Sequence, residues 1–209
     1  MNLADYTPET ICRAIGLPSF DSDAALADAR LALRLLLRPS FDPEVCITIL
    51  AGDETCTASV VAAKSMVWLL DRPGVVKSDR EVFTLPEESV RVLVAGFEQC
   101  LAAPPRSGIQ IDGMSFDTLL RRSGTAERIS GHVAFAAHAS FVAGVIEMVW
   151  KGLLNIECKN ALARAASYTG LEIAPIQVPV PPPATGILVL GSPEDRRQLL
   201  SALGKPRDK

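Results

Sequence analysis

The chain has 209 residues, 48% hydrophobic and 22% charged, with a formal net charge of -3. That balance excludes general disorder, and the length is enough to bury a sizeable core without disulfide or metal staples. It also leaves no basic footprint for nucleic acid. Residues 1–103 hold 15 acids against 9 bases, net -6, and residues 104–209 hold 9 acids against 12 bases, net +3. Most of that asymmetry reads as solvated surface, and its sharper reading is attraction of a basic partner to the first half.

The opening stretch MNLADYTPETICRAIGLP carries Asp5 and Glu9 and lacks the apolar core of a secretion signal. Thr7-Pro8 marks a helix start, with Thr7 as cap and Pro8 in the first turn, and Gly16 marks its end. Ser22-Asp23 predicts a second helix through about Arg38, stopped by Pro39, with Leu31, Leu33, Leu35, Leu36 and Leu37 apolar on more than one side. Glu44–Ala51 and Cys56–Lys64 then alternate as a β-hairpin. Setting Ala51 against Cys56 brings Ile49 to Ala58, Ile47 to Val60 and Val45 to Ala62 on a core face, and leaves a half-polar face of Leu50, Thr57, Thr48 and Ser59. Cys46 then lies opposite Val61, so Cys46 and Cys56 are not disulfide partners.

Met66–Leu70 and Glu81–Thr84 are short strand candidates, and Pro86-Glu87-Glu88 opens a helix that runs past Val90, Leu93, Val94, Phe97 and Leu101 to Pro104. From Gly108 the strand period returns. Asp112-Gly113 predicts a tight turn that sets Ile111 against Met114 and Ile109 against Phe116. A second turn at Ser123-Gly124-Thr125 places Leu119 opposite Ile129 and Arg121 opposite Glu127. The resulting meander, 108–133, feeds the most apolar stretch of the chain. His132–Leu154 reads as a core helix, with Ser140 as candidate cap and Glu147 and Lys151 on its one wet face. His132, His138 and Glu147 interrupt it too often for a membrane span. Glu157–Tyr168 forms a last helix, closed by Gly170.

The expected fold is α+β: an antiparallel sheet, built from the hairpin 44–64 and the meander 108–133, covered by helices. Residues 1–174 form the domain, and 175–183 are a stiff proline-rich linker. Residues 184–209 form a strand–helix unit, with its strand at Ile187–Leu190 and its helix ending at Leu203, expected to dock on the domain.

Chemistry is sparsely signalled. The two histidines, His132 and His138, are six apart, which is no metal-ligand spacing, and HExxH, CxxC and GxSxG are all absent. Gly191-Ser192-Pro193 lacks the glycines and lysine of a phosphate loop and reads as a helix cap. Asp53-Glu54 and Glu87-Glu88 read as a loop tip and a helical first turn. Pro179–Pro182 fits a PxxP pattern but reads first as a spacer, and Trp68 and Trp150 as packing residues. The five scattered cysteines (Cys12, Cys46, Cys56, Cys100, Cys158) read as reduced and mostly buried, with the cytoplasm as the expected address.

With no catalytic, cofactor or metal residues assigned, the leading expectation is a non-enzymatic module that binds another protein. An adaptor or a neutralising antitoxin or immunity-type protein would suit such a chain; neither nucleic acid nor membrane is an expected partner. The rivals are an enzyme whose site gathers His132, His138 and Glu147, and a small-ligand sensor.

Overall fold

Leu31–Pro39 (β1) is an inner strand of the described sheet, buried on both faces. In the computed structural model the described residues are 6–53, 55–70, 74–103, 112–122 and 124–177. β1 pairs antiparallel with Val45–Ala51 (β2) on one side and Met114–Arg122 (β5) on the other. The helix expected through Arg38 is therefore corrected. Asp23 does cap a helix, but that helix is only Ala24–Asp28, and the leucines after it are strand. The reason is burial on both faces. Leu33, Leu35 and Leu37 enter one core while Ala32 and Leu36 enter another, so the strand shows no polar alternation and its apolar run mimics a buried helix.

The described sheet has six strands, in the order Ser78–Leu85 (β4), Cys56–Ala63 (β3), β2, β1, β5 and Thr125–His132 (β6), all antiparallel, which makes the fold α+β. β3 pairs with β2 in the register read from the alternation, Ala51 to Cys56 through Val45 to Ala62. β4 contains the expected strand Glu81–Thr84 and extends it at both ends. Met66–Leu70 is not a strand: Val67–Leu69 is a 3-10 turn, held because the buried Glu44 carboxylate accepts the Val67 N–H at 2.8 Å.

Three helices cover one face: Glu88–Leu101 (α3), Ala136–Gly152 (α4) and Ile156–Ser167 (α5). They pack Leu93, Phe97, Val142, Ile146, Val149 and Leu162 onto the odd-numbered residues of β1, β2 and β4 and the even-numbered residues of β3 and β5. The other face is covered by Pro8–Ala14 (α1), the short helix Ala24–Asp28 (α2) and the 3-10 turn, which bury Ile11, Phe20, Leu26 and Val67 against Leu36, Val61 and Leu119. Thr7 caps α1 as expected, and Gly16 follows it at φ 78°. The half-polar face of the first hairpin is thus not wet throughout, and Thr48 on it is buried.

Two further expectations are corrected along the second hairpin. Phe116 pairs with Leu37 on one side and with Gly131 of β6 on the other, and Met114 pairs with Pro39. Neither joins the hairpin drawn around Asp112-Gly113, whose other half, Ile109 and Ile111, lies outside the described residues. The β5–β6 register differs by one residue. Arg122 pairs with Thr125 across a two-residue connection, so Leu119 faces Arg128 and Arg121 faces Ala126. A one-residue slip exchanges faces, which sends Leu119 to the N-terminal core and leaves Leu120 under the helices.

α4 starts at Ala136, not His132, because His132 still belongs to β6 and pairs with Ser115. Its N-cap is Phe135 rather than Ser140, which lies exposed in the helix. α5 begins after an Asn155 cap and is followed by Gly170 at φ 80°, close to the expected bounds. The compact unit reaches Ile176; the second unit, 177–209, is described only at Gln177, so the proline-rich linker beyond it and the strand–helix segment lie outside the described residues.

Candidate functional site

β4 ends the described sheet, and the ladder shows which of its backbone groups lack a partner among the described residues. In antiparallel strands, the N–H and C=O of successive residues point alternately to the two sides. Bonds from Gly52 N to Thr55 O (2.8 Å) and from Ala63 N to Glu44 O (3.0 Å) show that the odd-numbered residues of β3 bond to β2. Its even-numbered residues, Cys56 to Ala62, therefore bond to Leu85, Phe83, Glu81 and Asp79 of β4. Arg80, Val82 and Thr84 are left directing N–H and C=O out of the sheet. Among the described residues nothing bonds to those groups.

Beside this edge, on the helix side, lies a groove of about 550 Å³ between the start of α3 and the end of α4. Leu85, Pro86, Val92 and Met148 give it an apolar wall. Gly144 opens its floor: a Cβ built there meets nothing within 4 Å. Val92 in that wall is 62% exposed and Leu154, beside Glu81, is 83% exposed, while Val82, on the opposite face of the sheet, is 59% exposed.

The edge is held firmly. Glu81 accepts the Leu154 N–H (3.0 Å) and the Asn155 N–H (2.7 Å), tying the α4–α5 corner to β4. Gly152 allows the end of α4 to lie against the Phe83 ring, 2.5 Å from where a Cβ would stand. Around the site Lys64 pairs with Asp79 (3.1 Å) and Lys151 with Glu147 (2.8 Å). Arg80 has no carboxylate partner among the described residues.

His132 and His138 come together, but Glu147 does not join them. The His138 Nδ1 lies 3.2 Å from the His132 carbonyl, and the His132 Nδ1 accepts the Ala134 N–H at 3.1 Å. The His138 ring meets Phe116 and Phe135 edge to face. Burial holds His132 below the usual imidazole range, against a raising contact with the Asp112 backbone, so it is neutral at pH 7. Glu147 sits nine residues beyond His138 on α4, about 13 Å along the axis, paired with Lys151 on the wet face. Of the other sequence candidates, Asp53 is exposed in its turn and Glu87 pairs with Arg30 at 3.5 Å. Glu54, the PxxP segment and Gly191-Ser192-Pro193 lie outside the described residues. Trp68 is 38% exposed, while Trp150 is half-buried under the Lys159 ammonium, 4.6 Å from its ring.

No local pattern foretells the charges buried on the second face. Arg34, 2% exposed, donates to Thr48, to the Pro18 carbonyl and to Asp23. Glu44 accepts the Tyr6 hydroxyl at 2.7 Å, and burial with the Glu44 charge drives the Tyr6 pKa strongly up. Asp117 takes the Ser130 hydroxyl at 2.6 Å and lies 2.8 Å from Arg38. The Arg34 and Glu44 contacts tie the N-terminal segment to the sheet, while Arg38 Nε and Asp117 Oδ2 are buried without a hydrogen-bond partner among the described residues. All five cysteines are buried and free, as expected, and burial pushes Cys100 and Cys158 up to about 11, too high for a thiolate nucleophile at neutral pH. Among the described residues no cluster of three metal-ligating side chains occurs, and no helix is long and apolar enough to cross a membrane. The chain matches no family model, no curated protein and no solved structure.

Proposed function

We propose that the chain is a non-enzymatic protein-binding module, and that it takes an extended segment of another protein onto β4. One observation carries the reading: the outward backbone groups of Arg80, Val82 and Thr84 have no partner among the described residues and stand beside an apolar groove. Such a row is a template for strand addition, in which main-chain bonds give affinity and flanking pockets give selectivity. Edges that are not used are commonly blunted, and the first part of β4 does carry the charges of Asp79, Arg80 and Glu81. Its second part, Val82–Leu85, has none, and there Val82 is 59% exposed while Leu85 lines the groove on the other face. The acidic balance of the chain speaks for a protein rather than a nucleic-acid partner, and its five unpaired thiols for a cytoplasmic address.

Proline at position 82 is the direct test. It removes an outward N–H that β3 does not use, a place where a strand tolerates proline. A displayed library of random peptides, panned on the full chain, is expected to yield binders that Val82→Pro abolishes while the melting temperature holds. A library that yields no binders, or binders indifferent to Val82→Pro at unchanged fold, overturns the reading.

A further inference from the structure

Resting on that reading, we infer that the bound segment runs antiparallel to β4 and carries a fixed pattern. From its amino end the pattern is a bulky apolar residue, any residue, two aliphatic residues, any residue, and an acid. The direction follows from the sheet, in which every described pair is antiparallel, the more stable ladder per residue. The pattern follows from what each residue of β4 offers. Directly opposed residues in adjacent strands put their side chains on the same face, within contact distance.

The odd-numbered residues of β4 share the helix face. Opposite Leu85 the incoming side chain meets the mouth of the 550 Å³ groove, between Val92 and Met148, which takes a large apolar group such as Phe or Met. Opposite Phe83 it lies beside Leu154, whose 83% exposure it would reduce, and an aliphatic group fits there. Opposite Glu81 the carboxylate is already occupied by the Leu154 and Asn155 amides and selects little.

The even-numbered residues lie on the second face. Opposite Thr84 no strong preference arises, and opposite Val82, 59% exposed, a β-branched aliphatic completes an apolar cross-strand pair. Opposite Arg80 stands a guanidinium with no carboxylate partner among the described residues, and an aspartate or glutamate there forms an opposite-charge pair. The occupant is thus a strand of another protein that ends in an acid and begins with a residue able to enter the groove.

The experiment uses the full chain and labelled synthetic peptides, read by fluorescence anisotropy. A peptide Phe-Thr-Val-Val-Thr-Glu within a soluble frame is compared with one carrying Lys for Glu and with one carrying Ser for Phe. The parent peptide is expected to bind best, with the lysine peptide weaker on the order of tenfold as an attractive cross-strand pair becomes repulsive. Arg80→Glu should reverse that preference, which a merely structural role for Arg80 would not do. Gly144→Leu fills the groove from its open floor and should erase the advantage of Phe over Ser. Equal binding of all three peptides that Val82→Pro still abolishes overturns the pattern and leaves strand addition standing. Binding of none of them, when library binders sensitive to Val82→Pro exist, also overturns the pattern alone. A full-length dimer that the parent peptide splits makes a second copy the resident of β4 and overturns the proposed partner.

Discussion

Leu35 and Leu36 are neighbours on β1, both fully buried, and they point into different cores. Truncating each to alanine separates a sheet covered on two faces from one covered on a single face. Leu→Ala removes three carbons, about 2.4 kcal/mol at about 0.8 kcal/mol per carbon. A residual void of about 50 Å³ adds about 1.2 kcal/mol at about 24 cal/mol per Å³. Each variant should therefore lose about 3.6 kcal/mol, which lowers the melting temperature by about 7–14 °C for a unit of this size. Urea unfolding followed by far-ultraviolet circular dichroism measures both, with the slope checked for constancy. A loss for Leu36→Ala below about 1 kcal/mol, beside a full loss for Leu35→Ala, would refute the second core, since on a sheet with one wet face Leu36 would lie in solvent.

Two glycines should respond with opposite sign. Gly144→Ala, with open space at its Cβ, should stabilise α4 by about 0.5–1 kcal/mol. Gly131→Ala sets a methyl 2.7 Å from the His138 ring and 2.8 Å from Phe116, and thermal melts should show a loss of about 1–3 kcal/mol. The depressed His132 pKa means that the unfolded chain binds the proton more readily than the folded one. Its contribution is complete above about pH 6.5 and is lost as pH falls through the folded value, so a stability profile for His132→Gln should be flatter there than the parent's. Iodoacetamide at pH 8 should leave the five buried thiols of the native protein unlabelled and react with all of them in denaturant. The docking expected of Ile187–Leu203 predicts a lower melting temperature for a chain ended after Gln177, and an unchanged value would refute it.

Local chemistry determined much of this protein from sequence alone. Strict alternation set the β2–β3 register because one face had to be apolar, and a one-residue slip would have put Ile47 and Val60 in the wrong core. The Thr7-Pro8 and Asp23 helix starts, and Gly170 after α5, were legible because capping and positive φ are properties of a few adjacent residues. Tertiary structure decided what period cannot express. The leucines of Leu31–Leu37 became a central strand because β2 and β5 flank it and both faces are covered, a combination that erases the polar alternation of an ordinary strand. The β5–β6 register turned on whether two or three residues make the connection, which the apolar pattern of β6 was too weak to fix. The candidate site was legible only as the strand Glu81–Thr84. That its outer edge lacks a described partner, and that Val92, Gly144 and Met148 form a groove beside it, depends on where α3 and α4 return to the sheet. Those positions are set by packing between residues some 60 apart in the chain, and no local pattern encodes them.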